Sequence, residues 1–355
     1  MALTFHSLTD VLNHGFDTVI DVRSPSEFAE DHLPGAINLP VLDDAERARV
    51  GTVYKQQSPF LARKIGAALV FRNAATHIET RLSHHPGNWR PLIYCWRGGQ
   101  RSGSFTWMLG QIGWRAEVIE GGYRSYRRLV NTGLYDQPLP HRPVLLDGYT
   151  GTAKTALLQI LQGQGVQVLD LEGLAGHRGS LLGGCADPQP SQKAFESALA
   201  GAVYALDPAR PVLVEAESNK IGARILPPSL WQAMKQAPRI ELAAPVAARV
   251  DYLVRAYDDI LSDHVRLREK LDQLRPHRGH AVVDEWMGLI AANDKPGLTR
   301  ALIAQHYDPA YDKARRAFGV TPVQRVDVPD LGDAALLNAA GQIRAALDQI
   351  PVSAT

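Results

Sequence analysis

Pro91-Leu-Ile-Tyr-Cys-Trp-Arg-Gly-Gly-Gln-Arg-Ser102 sets the architecture of the first half of the chain. Residues 91–95 form a short apolar run that reads as a buried strand. Gly98 and Gly99 let the backbone curl, and a helical pattern resumes over 102–110. Cys95 thus ends a strand and heads a loop that opens a helix, where sheet-built enzymes place reactive groups. A curled loop directs successive N–H groups inward, and together with a helix N-terminus it stabilises an anion. The same environment lowers the pKa of a thiol, whose thiolate is the nucleophile. Arg101 is placed to fold back and hold an oxyanion bidentately, with Trp96, Arg97, Gly98, Gly99 and Gln100 forming the turn itself. Alone, a cysteine at a strand end is an ordinary buried thiol. With two glycines, an arginine and a helix start it reads as a catalytic loop. Two chemistries share this arrangement: phosphate-ester hydrolysis through a phosphocysteine, and transfer of sulfur or selenium through Cys–S–S⁻ or Cys–S–Se⁻. Tyr94 stands where such phosphatases usually carry His, which weighs against the first.

Strands and helices alternate outward from this loop. Asp17-Thr-Val-Ile-Asp-Val22 reads as a strand, followed by a helical turn that Ser24 or Ser26 would cap. Residues 32–40 read as a turn and a short strand, 42–81 as helical, and 116–119 as a strand ended by Gly121-Gly122. Tyr135-Asp-Gln-Pro-Leu-Pro-His-Arg-Pro143 has no apolar period and reads as a linker. A second alternation follows: strand 144–146, loop 148–155, helix 156–162, then strands 166–171 and 212–215. Helices dominate from Pro245, with 249–274 reading as one long helix. The expected fold class is α/β, with two parallel-sheet domains. The first spans 5–135, a Pro-rich linker 136–143, a second domain with a helical part 144–325, and a C-terminal helix and tail 326–355.

Gly148-Tyr-Thr-Gly-Thr-Ala-Lys-Thr155 follows a strand and opens a helix. It fits the phosphate-loop pattern except that Ala153 replaces the last Gly, where a methyl crowds the closest backbone approach. The N–H groups of Gly148, Thr150, Gly151 and Thr152 with Lys154 would cradle a diphosphate, and Thr155 is positioned for Mg²⁺. Glu215 and Glu217 alternate onto one face at a strand end, as candidates for acid–base work or Mg²⁺. Asp170 and Glu172 end another strand, and for all four a solvated strand end is an equal reading. Lys220 and Arg224 read as phosphate or RNA contacts or as plain surface charges. No spacing among the 12 histidines makes a metal site, so no metal is firmly assigned.

The chain has 355 residues, 45% apolar and 21% charged, which excludes a disordered or disulfide-scaffold protein. Its two cysteines, Cys95 and Cys185, are far apart, as expected of a reducing cytosol, and Cys185 reads as a spare thiol rather than a resolving one. No apolar run spans a membrane and MALTFHSLTD lacks the features of a secretion leader, so the expected location is cytoplasmic. The net charge is +1, yet it is unevenly spread. Residues 1–54 carry 3 basic and 9 acidic side chains, residues 55–128 carry 12 and 3. The second segment is either balanced by the first after folding or is a contact surface for a polyanion. Its interleaved aromatics, among them Trp107 and Tyr123, suit the latter.

Asp21-Val-Arg-Ser-Pro-Ser-Glu-Phe28, His32-Leu-Pro-Gly-Ala-Ile-Asn-Leu-Pro40, the Cys95 loop and Gly121-Gly-Tyr123 resemble successive motifs of a rhodanese domain over roughly 5–135. The loop after Cys95 is one residue longer than in sulfur-handling rhodaneses, making room for a larger anion such as a phosphate-bearing donor. A rhodanese domain followed by a phosphate loop resembles the bacterial tRNA 2-selenouridine synthase family over nearly the whole chain. Gly51-Thr-Val-Tyr-Lys-Gln56, Leu171-Glu-Gly-Leu-Ala-Gly-His-Arg-Gly-Ser180 and Val214-Glu-Ala-Glu-Ser-Asn-Lys-Ile-Gly222 look like further family motifs.

This resemblance implies a transferase acting on wobble 2-thiouridine in tRNAs for Lys, Glu and Gln. It geranylates the thio group with geranyl diphosphate on the 148–155 loop. It then exchanges sulfur for selenium from selenophosphate, through a Cys95 selenosulfide. The resemblance promotes His177 and Arg178 to site candidates, and Arg124, Arg127 and Arg128 would face tRNA phosphates. Expected partners are tRNA and a selenophosphate supplier, with no tightly bound cofactor, no membrane and a monomeric chain. Three rivals stay open: a sulfurtransferase fused to an ATP-dependent RNA-modifying domain, a redox-sensing binding module, and a cysteine phosphatase.

Overall fold

Strand β-branching and short polar breaks divide the N-terminal residues into β1 (Ala2–Leu3), α1 (Leu8–Leu12), β2 (Thr18–Asp21), α2 (Pro25–Glu30), β3 (Ile37–Asn38), α3 (Asp44–Gln56), α4 (Pro59–His77), β4 (Pro91–Tyr94), α5 (Gln100–Ile112), β5 (Glu117–Ile119) and α6 (Tyr123–Asn131). The computed structural model describes residues 2–179, 182–184, 187–318 and 321–350, with backbone alone at 314 and 316–318. Ser180, Cys185 and the 351–355 tail lie outside the described residues. The chain divides into two units, Met1–Pro138 with Pro190–Ala205, and Leu139–Gln189 with Leu206–Thr355.

In the first unit the strands lie in the order β1-β5-β4-β2-β3, all parallel. Parallel strands need helical crossovers that cover the sheet, so the middle strand β4 is fully buried. Ile20, Ile93, Phe105 and Leu109 fill the core beneath it. Ser24 caps α2 in a capping box with Glu27, while the other candidate, Ser26, donates instead to Asp44. The expected helical stretch 42–81 is two helices and a π-helical turn, Ile78–Leu82. Ser58 makes the break: its Oγ accepts from Phe60 N and Leu61 N, and Pro59 at the first helical position cannot continue the preceding ladder.

The second unit contains β6 (Arg142–Asp147), α7 (Lys154–Gly163), β7 (Gln167–Leu169), α8 (Leu171–Ala175), β8 (Pro211–Glu215), a small hairpin of β9 (Lys220–Ile221) and β10 (Arg224–Ile225), and β11 (Arg239–Ala243). A parallel sheet again forms, in the order β12-β11-β6-β8-β7, where β12 is Gln324–Asp327. β6 begins at Arg142, inside the stretch that sequence assigned to a linker, because Pro143 pairs with Val212 near the strand start, where its missing N–H is tolerated. The C-terminal helix Asp333–Gln349 closes this same core, with Ala339, Ile343 and Leu347 packed among Leu157 and Leu161.

Two further stretches differ from the sequence reading. The long helix expected over 249–274 is three, Val246–Ala256, Asp258–Ser262 and His264–Asp272. Tyr257 and Asp263 leave helical geometry, and the Asp263 carboxylate accepts from Arg266 N to start the third helix. Residues 190–205, inside the span 144–325 expected for the second domain, belong to the first unit and form the helix Gln192–Tyr204. Phe195, Leu199 and Val203 bury one face, and Ser197 donates to Asp31 at 2.9 Å, where Tyr123 Oη also donates at 2.6 Å. Phe195→Ala is expected to cost about 3–5 kcal/mol and to lower the denaturation midpoint of the unit that holds Trp89, Trp96, Trp107 and Trp114, read by tryptophan fluorescence.

Candidate functional site

Cys95 follows the last residue of β4 and is 3% exposed. Its loop is clamped from the opposite turn, for Tyr123 N donates to Cys95 O at 2.8 Å and Arg124 N donates to Trp96 O at 3.2 Å. This fit requires glycine. Gly98 has φ +66°, and a Cβ there would stand 2.6 Å from Ile119 O. Gly122 has φ +59°, and a Cβ would strike Cys95 O and lie 2.5 Å from Gly98 N. The Gly121-Gly-Tyr123 run therefore shapes the thiol loop from the other side of the sheet edge.

Ser102, in the first turn of α5, is fully buried and donates its hydroxyl to Cys95 Sγ at 3.2 Å. Burial pushes the thiol up, yet the Ser102 hydroxyl, the Arg101 charge and the N–H groups of Ser102 and Arg97 outweigh it, and the thiol sits below its ordinary value. Nothing in the motif pattern assigns Ser102 a role. Its signal was position: three residues into a helix that starts at a Gly-rich loop. Arg101 does not fold over the loop as expected. Its Nη1 donates to Glu27 at 3.1 Å, and Arg47 binds the same oxygen at 2.9 Å. Two guanidiniums on one carboxylate hold Glu27 below the usual range despite its burial, and the local charge stays positive. Trp96 leans on Tyr123 at 5.3 Å, while Arg97 and Gln100 are exposed.

In the second unit, β6 pairs with β8 in a register that sets Leu146 opposite Glu215, so Glu215 stands beside the start of the Gly148–Thr155 loop. Lys154, 7% exposed, donates to Gly148 O at 3.0 Å and lies 3.9 Å from Glu215. Burial opposes its charge, but Tyr311, Glu215, Glu217 and Glu172 more than offset that, and its pKa is held above the ordinary value. Ala153 takes φ 59° and ψ 30°, the left-handed conformation a glycine would adopt there. For an alanine this costs about 1–2 kcal/mol. Gly151 could not accept a side chain, since a Cβ would stand 2.6 Å from Leu253 Cδ1. Arg249 Nε donates to Thr150 O at 2.9 Å while its other nitrogens bind Asp308, fixing the loop from behind.

Glu172, Glu215 and Glu217 bring carboxylate oxygens within 4.8 Å of one another. Thr155 Oγ1 donates to Glu172 at 3.1 Å. Burial first, then the neighbouring carboxylates, raise Glu172 to about 9, and burial with Glu217 and Asp170 raises Glu215 to about 7. Glu172 is therefore the residue of its strand end that joins the site. Asp170 serves as helix cap, accepting from Gly173 N at 2.8 Å. These residues and Arg178, Tyr252, Tyr257 and Tyr311 surround a cleft of about 340 Å³ over the loop. Glu215 Oε2 is buried without a hydrogen-bond partner. The donors are hard oxygens, the set that suits Mg²⁺.

A profile described as the tRNA 2-selenouridine synthase AAA domain matches residues 141–328, and one described as a rhodanese-like domain matches 4–129. The chain belongs to the tRNA 2-selenouridine synthase family. A relative so named from Nitrosomonas europaea is 38% identical over 266 residues, covering 73% of this chain and 67% of the relative. Those from Alcanivorax borkumensis and Chromohalobacter salexigens are 33% and 35% identical, covering 83% and 87% of this chain and 88% and 77% of theirs.

The remaining candidates for tRNA 2-selenouridine synthase chemistry fall in different places. Arg178 lines the cleft and binds Asp259 at 3.2 Å, its guanidinium over the Tyr257 ring. His177 backs the same turn, beside Gly222. Lys220 and Arg224 sit on the β9–β10 hairpin, away from the phosphate loop lining. Arg124 and Arg128 are exposed, but Arg127 is turned inward onto Glu196. Among the described residues no helix is long and apolar enough to cross a membrane.

Two substitutions test the thiol loop. Ser102→Ala is expected to slow iodoacetamide alkylation of Cys95 at neutral pH about ten-fold, the worth of one hydrogen bond to a charged group, and to move the pH profile of alkylation upward. Gly122→Ala is expected to displace the loop and abolish preferential alkylation of Cys95 altogether, with the second unit still folded by circular dichroism.

Proposed function

We propose that the protein converts wobble 2-thiouridine of tRNA, of the Lys, Glu and Gln types, to 2-selenouridine in two steps, one at each centre. One observation carries this reading: the same chain holds an activated thiol under a helix N-terminus and a phosphate loop with a buried lysine. The names of the relatives support the substrate and the product.

In the first step the 2-thio sulfur attacks C1 of geranyl diphosphate. The C1–O bond breaks, its electron pair leaves on the diphosphate, and the N3 proton of the base is released. The N–H groups of 148–155 and the Lys154 ammonium receive the charge that develops on the leaving group, where water is largely excluded. Because the loop binds a leaving group rather than a nucleoside triphosphate, the extra methyl of Ala153 is accommodated. Glu172, Glu215, Glu217 and Thr155 would hold Mg²⁺, which neutralises part of the diphosphate charge.

In the second step the Cys95 thiolate attacks selenium of selenophosphate. The Se–P bond breaks with its electron pair on phosphorus, releasing phosphite and leaving Cys95–S–Se⁻. Selenium attacks C2 of the geranylated base and geranylthiolate departs. A free thiol then attacks the Cys95 sulfur, leaving selenium on the base and Cys95 in a disulfide that further thiol reduces. The positive end of α5, the Ser102 hydroxyl and the Arg101 charge stabilise the anions at each stage.

Purified protein with 2-thiouridine tRNA, geranyl diphosphate, selenophosphate and a thiol is expected to yield 2-selenouridine by nucleoside mass spectrometry. Cys95→Ala is expected to stop at the geranylated nucleoside. Lys154→Ala is expected to lose at least a hundred-fold in geranylation, the scale of a lost oxyanion-stabilising group. Unchanged 2-thiouridine with wild-type protein and ATP turnover would favour the fused sulfurtransferase instead. Phosphite in the product mixture marks the selenosulfide route. Phosphate in its place would mean that selenium travels as selenide and that Cys95 never bonds to it.

A further inference from the structure

The first unit carries a second concavity that no step above uses. α3 and α4 form a hairpin, and the groove between them runs to the first turn of α5, enclosing about 1330 Å³. That exceeds the roughly 300–1,000 Å³ of small-molecule sites. Its lining holds four cations, Arg47, Lys55, Arg63 and Arg101, and no carboxylate. Glu27 is shared between Arg47 and Arg101, and Asp44 also lies near Arg47. Lys55 and Arg63 are exposed. Gly51 and Gly66 line it without side chains.

Aromatic faces accompany the cations. Tyr54 is 54% exposed on the α3 wall. One turn beyond the lining residues Ala67 and Ser104, Phe71 and Trp107 stand 41% and 59% exposed, edge to face at 6.4 Å. Cations spaced along a groove that also presents an open tyrosine ring match a single nucleic-acid strand, whose phosphates need charge and whose unstacked bases need a flat apolar face. An acidic peptide would use the charges but not the rings.

The groove also has a direction. Gln100 and Arg101 line it and form the first turn of α5, whose Ser102 holds the thiol and whose Arg101 charge acts on it. A strand lying in it would end at that turn.

We propose that the α3–α4 groove seats the single-stranded anticodon nucleotides of tRNA, with Lys55 and Arg63 on phosphates, Tyr54 stacked on a base, and the wobble base led toward Cys95. This rests on the reading that tRNA is the acceptor. It explains why Gly51-Thr-Val-Tyr-Lys-Gln56, far from either reactive centre in sequence, presents its Tyr and Lys outward.

The test is tRNA binding across a salt series, using full-length protein, 2-thiouridine tRNA and a duplex RNA for comparison. Lys55→Glu with Arg63→Glu is expected to weaken tRNA binding at least ten-fold and to flatten the salt slope by about 0.7 for each lost contact. Arg49→Glu with Arg81→Glu, the same charge change outside the groove, is expected to stay within about two-fold. Tyr54→Ala is expected to weaken binding about ten-fold and Tyr54→Phe to restore it. Duplex binding should change little in the groove variants. Cys95 alkylation at the wild-type rate certifies their fold. Groove and control variants that bind alike would overturn the proposal, as would equal losses for duplex and tRNA. Wild-type protein that neither binds nor modifies the tRNA would instead overturn the acceptor assignment itself, so the two failures are distinct.

Discussion

Lys154 is buried beside Glu215, with Glu172 and Glu217 close enough to raise its pKa, and one ammonium thereby lets three carboxylates share the end of a parallel sheet. Lys154 draws all three carboxylates down, so removing its ammonium is expected to leave the cluster holding more of its protons. Lys154 and the N-terminus of α7 place positive charge at the loop, with the ammonium bonded to Gly148 O.

The thiol centre meets the same physical problem without a buried cation. Cys95 is desolvated, which by itself favours the neutral thiol. The counterweight is geometric: a hydroxyl, two backbone N–H groups and a partly shared arginine. The backbone must come close for those groups to reach sulfur, and the approach of Gly98 to Gly122 leaves no room for a Cβ on either. Both centres sit where a parallel strand ends and a helix begins, so one structural device recurs with different side chains.

The parts of this arrangement visible in the sequence are those that glycine spacing encodes. Gly98-Gly99 after Cys95 and Gly148 to Lys154 can serve few purposes at those positions, and both loops stand where the strand-loop-helix reading put them. What the sequence concealed depends on neighbours far along the chain. Apolar periodicity runs through 249–274 without showing that Asp263 will turn its carboxylate back onto a helix start. Residues 192–204 form a helix that carries no motif, and its place in the first unit depends on a core far back along the chain. Asp170 and Glu172 look equivalent at a strand end until one becomes a cap and the other an arm of the cleft. Arg127 lies in the most basic stretch of the chain, yet Glu196, on that distant helix, draws it inward.

The central claim is that the two centres perform separable steps, joined only by a geranylated intermediate. The most direct measurement supplies Lys154→Ala protein with tRNA that already carries S-geranyl-2-thiouridine, together with selenophosphate and thiol. Conversion to 2-selenouridine at close to the wild-type rate is the expected result. Failure of that folded, tRNA-binding variant to convert the intermediate would show that the phosphate loop takes part in selenium transfer, and would contradict the division of labour drawn here.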